Sequence, residues 1–133
     1  MKKLALIMFA CCLHLCGNAQ TNASSAPKYS GNFFVTQNTS KGVQKFSVGY
    51  SLTPATLTTQ LNLYAQAWEE TMLGFKIRNS HNDVVIAWKP EKNTRLFIHE
   101  FDISNLAAGS YKLEMYGDGN KLVNTVSFQK QNQ

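Results

Sequence analysis

The chain has 133 residues, with 13 Lys and Arg against 8 Asp and Glu for a formal charge of +5, only 16% charged residues and three cysteines. The basic residues form no run, which argues against a nucleic-acid partner, and the length is that of one domain able to bury a core without crosslinks. Met1-Lys2-Lys3, an apolar run from Leu4 to Leu15 and the small residues Gly17-Asn18-Ala19 have the three-part pattern of a secretory signal peptide over residues 1–19. Its 12-residue apolar run is short of the roughly 20 residues of a membrane-crossing helix, and no later stretch comes close. The sequence therefore predicts export to the periplasm, cell surface or exterior, and no transmembrane segment. A lipid anchor is the less favoured alternative. Leu15 precedes Cys16 where a small residue is needed, and Cys11 is followed by Cys12-Leu13-His14-Leu15 in place of a polar tether. Once the leader is removed 114 residues remain, the balance falls to +3, and all three cysteines are gone. That removes a thiol nucleophile, cysteine-ligated zinc and redox motifs from consideration.

Residues 20–31 are small and polar without periodicity, the composition of a disordered lead-in, so the folded domain is expected over 32–130 with a tail at 131–133. Turn-forming clusters recur at Asn38 to Gly42, Thr53 to Thr56, Asn79 to Asp83, Lys89 to Asn93, Ser104 to Gly109 and Gly117 to Asn120, separated by short runs rich in Val, Ile, Phe, Tyr and Thr. That spacing predicts an all-β antiparallel sandwich of seven or eight strands. From Leu57 to Ala67 the odd positions are apolar or small, and the same parity resumes at Leu73, Phe75 and Ile77. A turn at Glu69-Glu70-Thr71 would fold these runs into a hairpin that sets Ala65 against Phe75 and Leu63 against Ile77. Its outer face would set Tyr64 against Lys76 and Asn62 against Arg78. A second hairpin is expected at the end, where Tyr111 to Tyr116 and Leu122 to Phe128 flank Gly117-Asp118-Gly119-Asn120.

Three stretches together resemble the C-terminal sorting domain of the type IX secretion system, an immunoglobulin-like β-sandwich. They are Phe75-Lys76-Ile77-Arg78-Asn79-Ser80 with Val84-Val85, Phe101-Asp102-Ile103-Ser104-Asn105-Leu106 running through Gly109 and Tyr111, and Asp118-Gly119-Asn120-Lys121-Leu122-Val123. The resemblance covers about residues 72 to 130. It implies an immunoglobulin-like fold, export, and type IX export machinery as a partner. The middle pattern also resembles small stand-alone secreted immunoglobulin-like proteins of related bacteria, whose length fits the whole chain better. The middle motif reads physically as a folding corner. Asp102 and Ser104 bond nearby amides, Leu106 plugs into the core, Gly109 takes an unusual backbone angle, and Tyr111 starts a strand with a polar tip.

Catalytic and metal chemistry find no support, and no cofactor is implied. His81 falls in a turn and His99 between Phe97 and Phe101, so no third ligand joins them. No Gly-x-Ser-x-Gly elbow or phosphate loop occurs. Glu69 and Glu70 diverge at the expected hairpin tip, while Glu100 and Asp102 share a strand face on which Asp102 already shapes the corner. Trp88, on one face with Val84 and Ile86, is expected in the core. The candidate binding residues are Asn62, Tyr64, Gln66 and Trp68 with Lys76 and Arg78, an aromatic and amide face on which a sugar ring can stack. The expectation is a secreted, non-enzymatic binding module of the envelope or exterior, meeting a protein or glycan. Its alternatives are a near stand-alone sorting domain and a glycan-binding module.

Overall fold

A computed structural model describes residues 29–133; the expected leader and the lead-in up to residue 28 lie outside the described residues. Eight strands follow in order: β1 (Tyr29–Thr39), β2 (Gly42–Thr53), β3 (Gln60–Thr71), β4 (Gly74–Arg78), β5 (Val84–Trp88), β6 (Thr94–Asp102), β7 (Gly109–Tyr116) and β8 (Leu122–Lys130). Each of the six expected turn clusters falls at a break between strands. β1 starts at Tyr29, three residues ahead of the expected Asn32, because Tyr29, Ser30 and Gly31 pair with Leu52, Ser51 and Tyr50 of β2.

The strands form two antiparallel four-stranded sheets, a first of order β1-β2-β3-β6 and a second of order β5-β4-β7-β8. Consecutive strands pair at β1-β2-β3, the chain then crosses to the second sheet for β4 and β5, returns for β6, and crosses again for the final hairpin. This is the layered, sheet-switching organisation of an immunoglobulin-like sandwich. Alternation fills the space between the sheets. Leu61, Leu63, Ala65 and Ala67 of β3 and Phe97 and Phe101 of β6 meet Phe75, Ile77, Leu113, Met115 and Phe128 of the second sheet, all buried. Burying each large side chain contributes about 1.5 to 3 kcal/mol, which is what holds a domain with no cysteine among its described residues.

The expected hairpin between β3 and β4 does not form. β3 pairs with β2 and β6, so Ala65 stands beside Tyr50 and Phe97, and Leu63 beside Leu52 and His99. β4 pairs with β5 and β7, so Phe75 stands beside Trp88 and Met115, and Ile77 beside Ile86 and Leu113. The expected turn residues Glu69-Glu70-Thr71 are still strand, and the chain changes sheet at Met72-Leu73. Both runs keep odd residues inward because they face one core from opposite sides. Periodicity reports which face is buried, and a facing strand satisfies it as well as a neighbouring one.

The corner and the last hairpin form where expected, with one difference: the Ser104 hydroxyl donates to the Asp102 carboxylate in place of bonding a backbone amide. Asp102 Oδ1 accepts hydrogen bonds from the Ser104 amide at 2.9 Å and its hydroxyl at 2.5 Å, which holds the Asp102 carboxyl below its usual range. Leu106 packs against the core, Gly109 has φ +150°, and the Tyr111 hydroxyl donates to the Ala107 carbonyl at 2.6 Å. That last bond is the tyrosine corner of immunoglobulin-like sandwiches. At the hairpin tip Gly119 and Asn120 take φ +67° and +58°, a region that glycine and asparagine tolerate best.

Candidate functional site

On the first sheet the residues of opposite parity face outward. β3 presents Asn62, Tyr64, Gln66 and Trp68; strand register places Asn62 beside Thr53 and Glu100, Tyr64 beside Ser51 and Ile98, and Gln66 beside Gly49 and Leu96. β1 adds Asn32 beside Gly49 and Phe34 beside Ser47. Phe34 is 60% exposed, Trp68 76% and Ile98 64%, with Tyr64 and Leu96 also exposed. Scattered exposed apolar residues are ordinary, but five on one sheet face form a patch of the kind that marks an interaction surface.

The patch has relief. β2 turns only Ser47, Gly49, Ser51 and Thr53 outward beyond Lys45, and at Ser47 it lies low between the taller Phe34 of β1 and Trp68 of β3. A concavity of about 580 Å³ lies there, between Phe34 and Trp68, with Ser47 and Gly49 as its floor and Gln66 and Lys45 at its rim. Lys45 Nζ sits 4.8 Å from the centre of the Phe34 ring and has no ion-pair partner among the described residues. Gln66 accepts the Tyr64 hydroxyl at 3.3 Å through its oxygen, leaving its amide nitrogen without a hydrogen bond among the described residues.

Of the six residues expected to bind, four therefore share this face and two do not. Lys76 and Arg78 lie on β4, on the outer face of the second sheet, across the core from Tyr64 and Asn62. Their partners are local. Lys76 Nζ lies 4.7 Å from the centre of the Tyr116 ring, in the cation–aromatic role expected with Tyr64. Arg78 Nε donates to Glu114 at 2.6 Å and Nη1 to the Asn82 carbonyl at 2.8 Å; the Tyr116 hydroxyl also donates to Glu114. Burial pushes the Glu114 carboxyl up, but hydrogen bonds from Tyr116 and Arg78 outweigh it and hold it below its usual range. Bonds to Tyr116 and Glu114 raise the Arg78 guanidinium in return.

The remaining chemistry-bearing residues stay apart. His99 stacks on Trp88 at 4.3 Å and meets Phe101 edge-on at 4.6 Å, closing the seam between β5 and β6; burial lowers its pKa, against a smaller upward pull from Glu100. Trp88 packs on the core beside Phe75, as expected, while its strand-mate Val84 is exposed because a bulge shifts the register between Ile77 and Arg78. His81 is exposed in the β4–β5 turn, Glu69 pairs with Arg95 at 3.6 Å, and Glu100 and Asp102 face solvent opposite Asn62 and Gln60. Among the described residues no group of three or more His, Cys, Asp or Glu is placed to hold a metal ion, and no helix is long and apolar enough to cross a membrane.

Phe34, Lys45, Ser47, Gly49, Leu96 and Ile98 belong to the face and were not expected there. Their outward parity is readable, since Phe33, Val35, Phe46, Val48 and Phe97 are the buried neighbours. What alternation does not carry is that β2 and β6 flank β3. Comparison of the sequence with protein-family models gives no match, and comparison with curated proteins gives none either.

Proposed function

We propose that this is an exported, non-enzymatic binding module whose working surface is the outer face of the first sheet. The observation that carries the reading is the gathering of Phe34, Tyr64, Trp68, Leu96 and Ile98 on that one outer face. The leader pattern of residues 1–19 supports export. The test is retention of the purified protein on envelope fractions of its own cells. Replacing Trp68 and Ile98 with serine should weaken retention about tenfold, the scale of losing a central apolar anchor. Lys76→Gln with Arg78→Gln, across the core, should leave it unchanged. Equal effects of the two pairs, or no retention by the parent, sink the reading.

A second reading, recognition by type IX export machinery, draws on the tip of the β7–β8 hairpin, where Asp118, Gly119 and Asn120 are exposed beyond the last strand pair, Tyr116 with the half-exposed Leu122. Its unit is the whole domain, because β6, inside the resembling stretch, pairs with β3 outside it. A periplasmic reporter carrying residues 29–133 at its C terminus should leave a host with that system; a reporter that stays periplasmic ends this reading.

A further inference from the structure

We infer that the trough along β2 binds a linear acidic polysaccharide, with a sugar ring held between Phe34 and Trp68 over Ser47 and Gly49 and a sugar carboxylate paired with Lys45. The inference rests on the proposed binding face and names its ligand class. Phe34 and Trp68 rise from β1 and β3, about 9.5 Å apart at two strand spacings, and β2 between them contributes no bulk at Gly49 and one hydroxymethyl at Ser47. A pyranose has an apolar C–H face that stacks on aromatic rings and a rim of hydroxyls that needs donors and acceptors. The Ser47 hydroxyl, the free Gln66 amide and the Asn32 side chain, whose Oδ1 overhangs Gly49, supply them.

Charge selects among sugars. Lys45 is the one charged residue lining the concavity; the carboxylates of this face are Glu100 and Asp102 on β6 beyond β3 and Glu70 on β3 two residues past Trp68, and none of them forms an ion pair with Lys45. A carboxylate arriving beside Phe34 meets a cation with no competing partner, already poised over the ring. Shape selects a chain over a compact ligand. The walled stretch over Ser47 and Gly49 opens at one end onto the small residues Ser51 and Thr53, with Tyr64 on the β3 side and no tall side chain on the β1 side. A linear ligand can therefore run on from Ser47 to Thr53, about 20 Å at strand rise. A peptide strand gains little here, because β2 is paired on both sides and offers this face no free main-chain ladder.

The test uses the purified protein with polygalacturonate and with its fully methyl-esterified form, the same backbone without charge. Isothermal titration calorimetry reports binding in the parent and every variant, and thermal melting shows that each variant folds. The parent should bind polygalacturonate about tenfold more tightly than the ester at low salt, a margin that shrinks as salt screens Lys45. Lys45→Gln should erase the margin and leave the ester unaffected. Trp68→Ala and Ser47→Leu, which removes a wall or fills the floor, should weaken both polymers about tenfold or more. No binding of polygalacturonate, or binding indifferent to Trp68→Ala and Ser47→Leu in folded protein, overturns the proposal. If envelope retention still depends on Trp68 while polygalacturonate does not bind, the binding face stands and the acidic-glycan assignment falls. A concentration-dependent dimer in sedimentation that Trp68→Ala abolishes assigns the face to a second copy and overturns the proposal as well.

Discussion

The two outer faces of this sandwich are built from the same alternating strand chemistry and end in opposite states. On the second sheet the polar groups serve one another: Glu114 gathers Arg78 and Tyr116, Lys76 covers the Tyr116 ring, and Gln129 donates to Ser110 at 2.7 Å. On the first sheet the large groups are apolar; Gln60 bonds Asn62, Tyr64 bonds Gln66 and Lys45 covers the Phe34 ring, but the Lys45 charge has no ion-pair partner and the Gln66 amide nitrogen no hydrogen bond among the described residues. A face whose hydrogen bonds are internally complete has little to offer a ligand, whereas one with exposed rings and free donors has contact energy still to release. The second face should therefore contribute to stability and the first to recognition.

The sharpest break of that comparison is Glu114→Ala, which strips the half-buried Arg78 and Tyr116 of their acceptor. It should cost about 2 kcal/mol, a drop of roughly ten degrees in Tm for a domain of this size, while Gln66→Ala on the first face should stay within about 0.5 kcal/mol. Equal losses in thermal melts would erase the distinction. Tyr116→Phe removes one hydroxyl donor and keeps the ring under Lys76, so about 1 kcal/mol is expected.

Acid separates the second face from the interior seam. The Glu114 carboxylate lies below its ordinary 4.5 in the folded protein, so its contribution is complete above that value and is lost as pH falls through the lower folded value. Burial keeps the His99 imidazole neutral below its ordinary 6.5, so the unfolded chain takes up that proton first. Stability then declines as pH falls from 6.5 toward the folded value and levels off beneath it. Denaturant unfolding across pH should show both steps. Glu114→Gln should shrink the lower one, leaving the part carried by the Asp102 carboxyl, which is also held below its ordinary range, and His99→Phe should remove the upper one.

The smallest effect is optical. Trp68, on the open face, should be quenched by iodide, and Trp88, stacked between His99 and Phe75, should be protected. Trp68→Phe should abolish most quenching and leave Tm unmoved; a parent protein that iodide does not quench would mean the face is covered, and quenching that survives the substitution would mean Trp88 is open.

Much of the fold is legible in the residues. The turn clusters mark six of the seven strand breaks, and the Asp102-to-Tyr111 segment folds into the corner its residue types demand. The seventh break is illegible because Met72-Leu73 contains no Gly, Pro, Asn or Asp: a crossing between sheets needs a change of direction through the core layer, and Leu73 is itself fully buried. The site was half legible for the same reason. Asn62, Tyr64, Gln66 and Trp68 are placed together by one strand's period of two, while Phe34, Lys45 and Gly49 join them only through pairings between strands far apart in sequence.

The sequence by itself determined which residues of the central strands turn inward, six of the seven places where the chain bends, and that one β3 face carries a tryptophan and a tyrosine among amides. Tertiary structure decided which strands are neighbours and which merely face each other, and so sent Lys76 and Arg78 to the far side of the core and brought the small residues of β2 beside Trp68. Alternation is local and identical for both arrangements; only long-range hydrogen-bonded pairing tells a sheet partner from a packing partner.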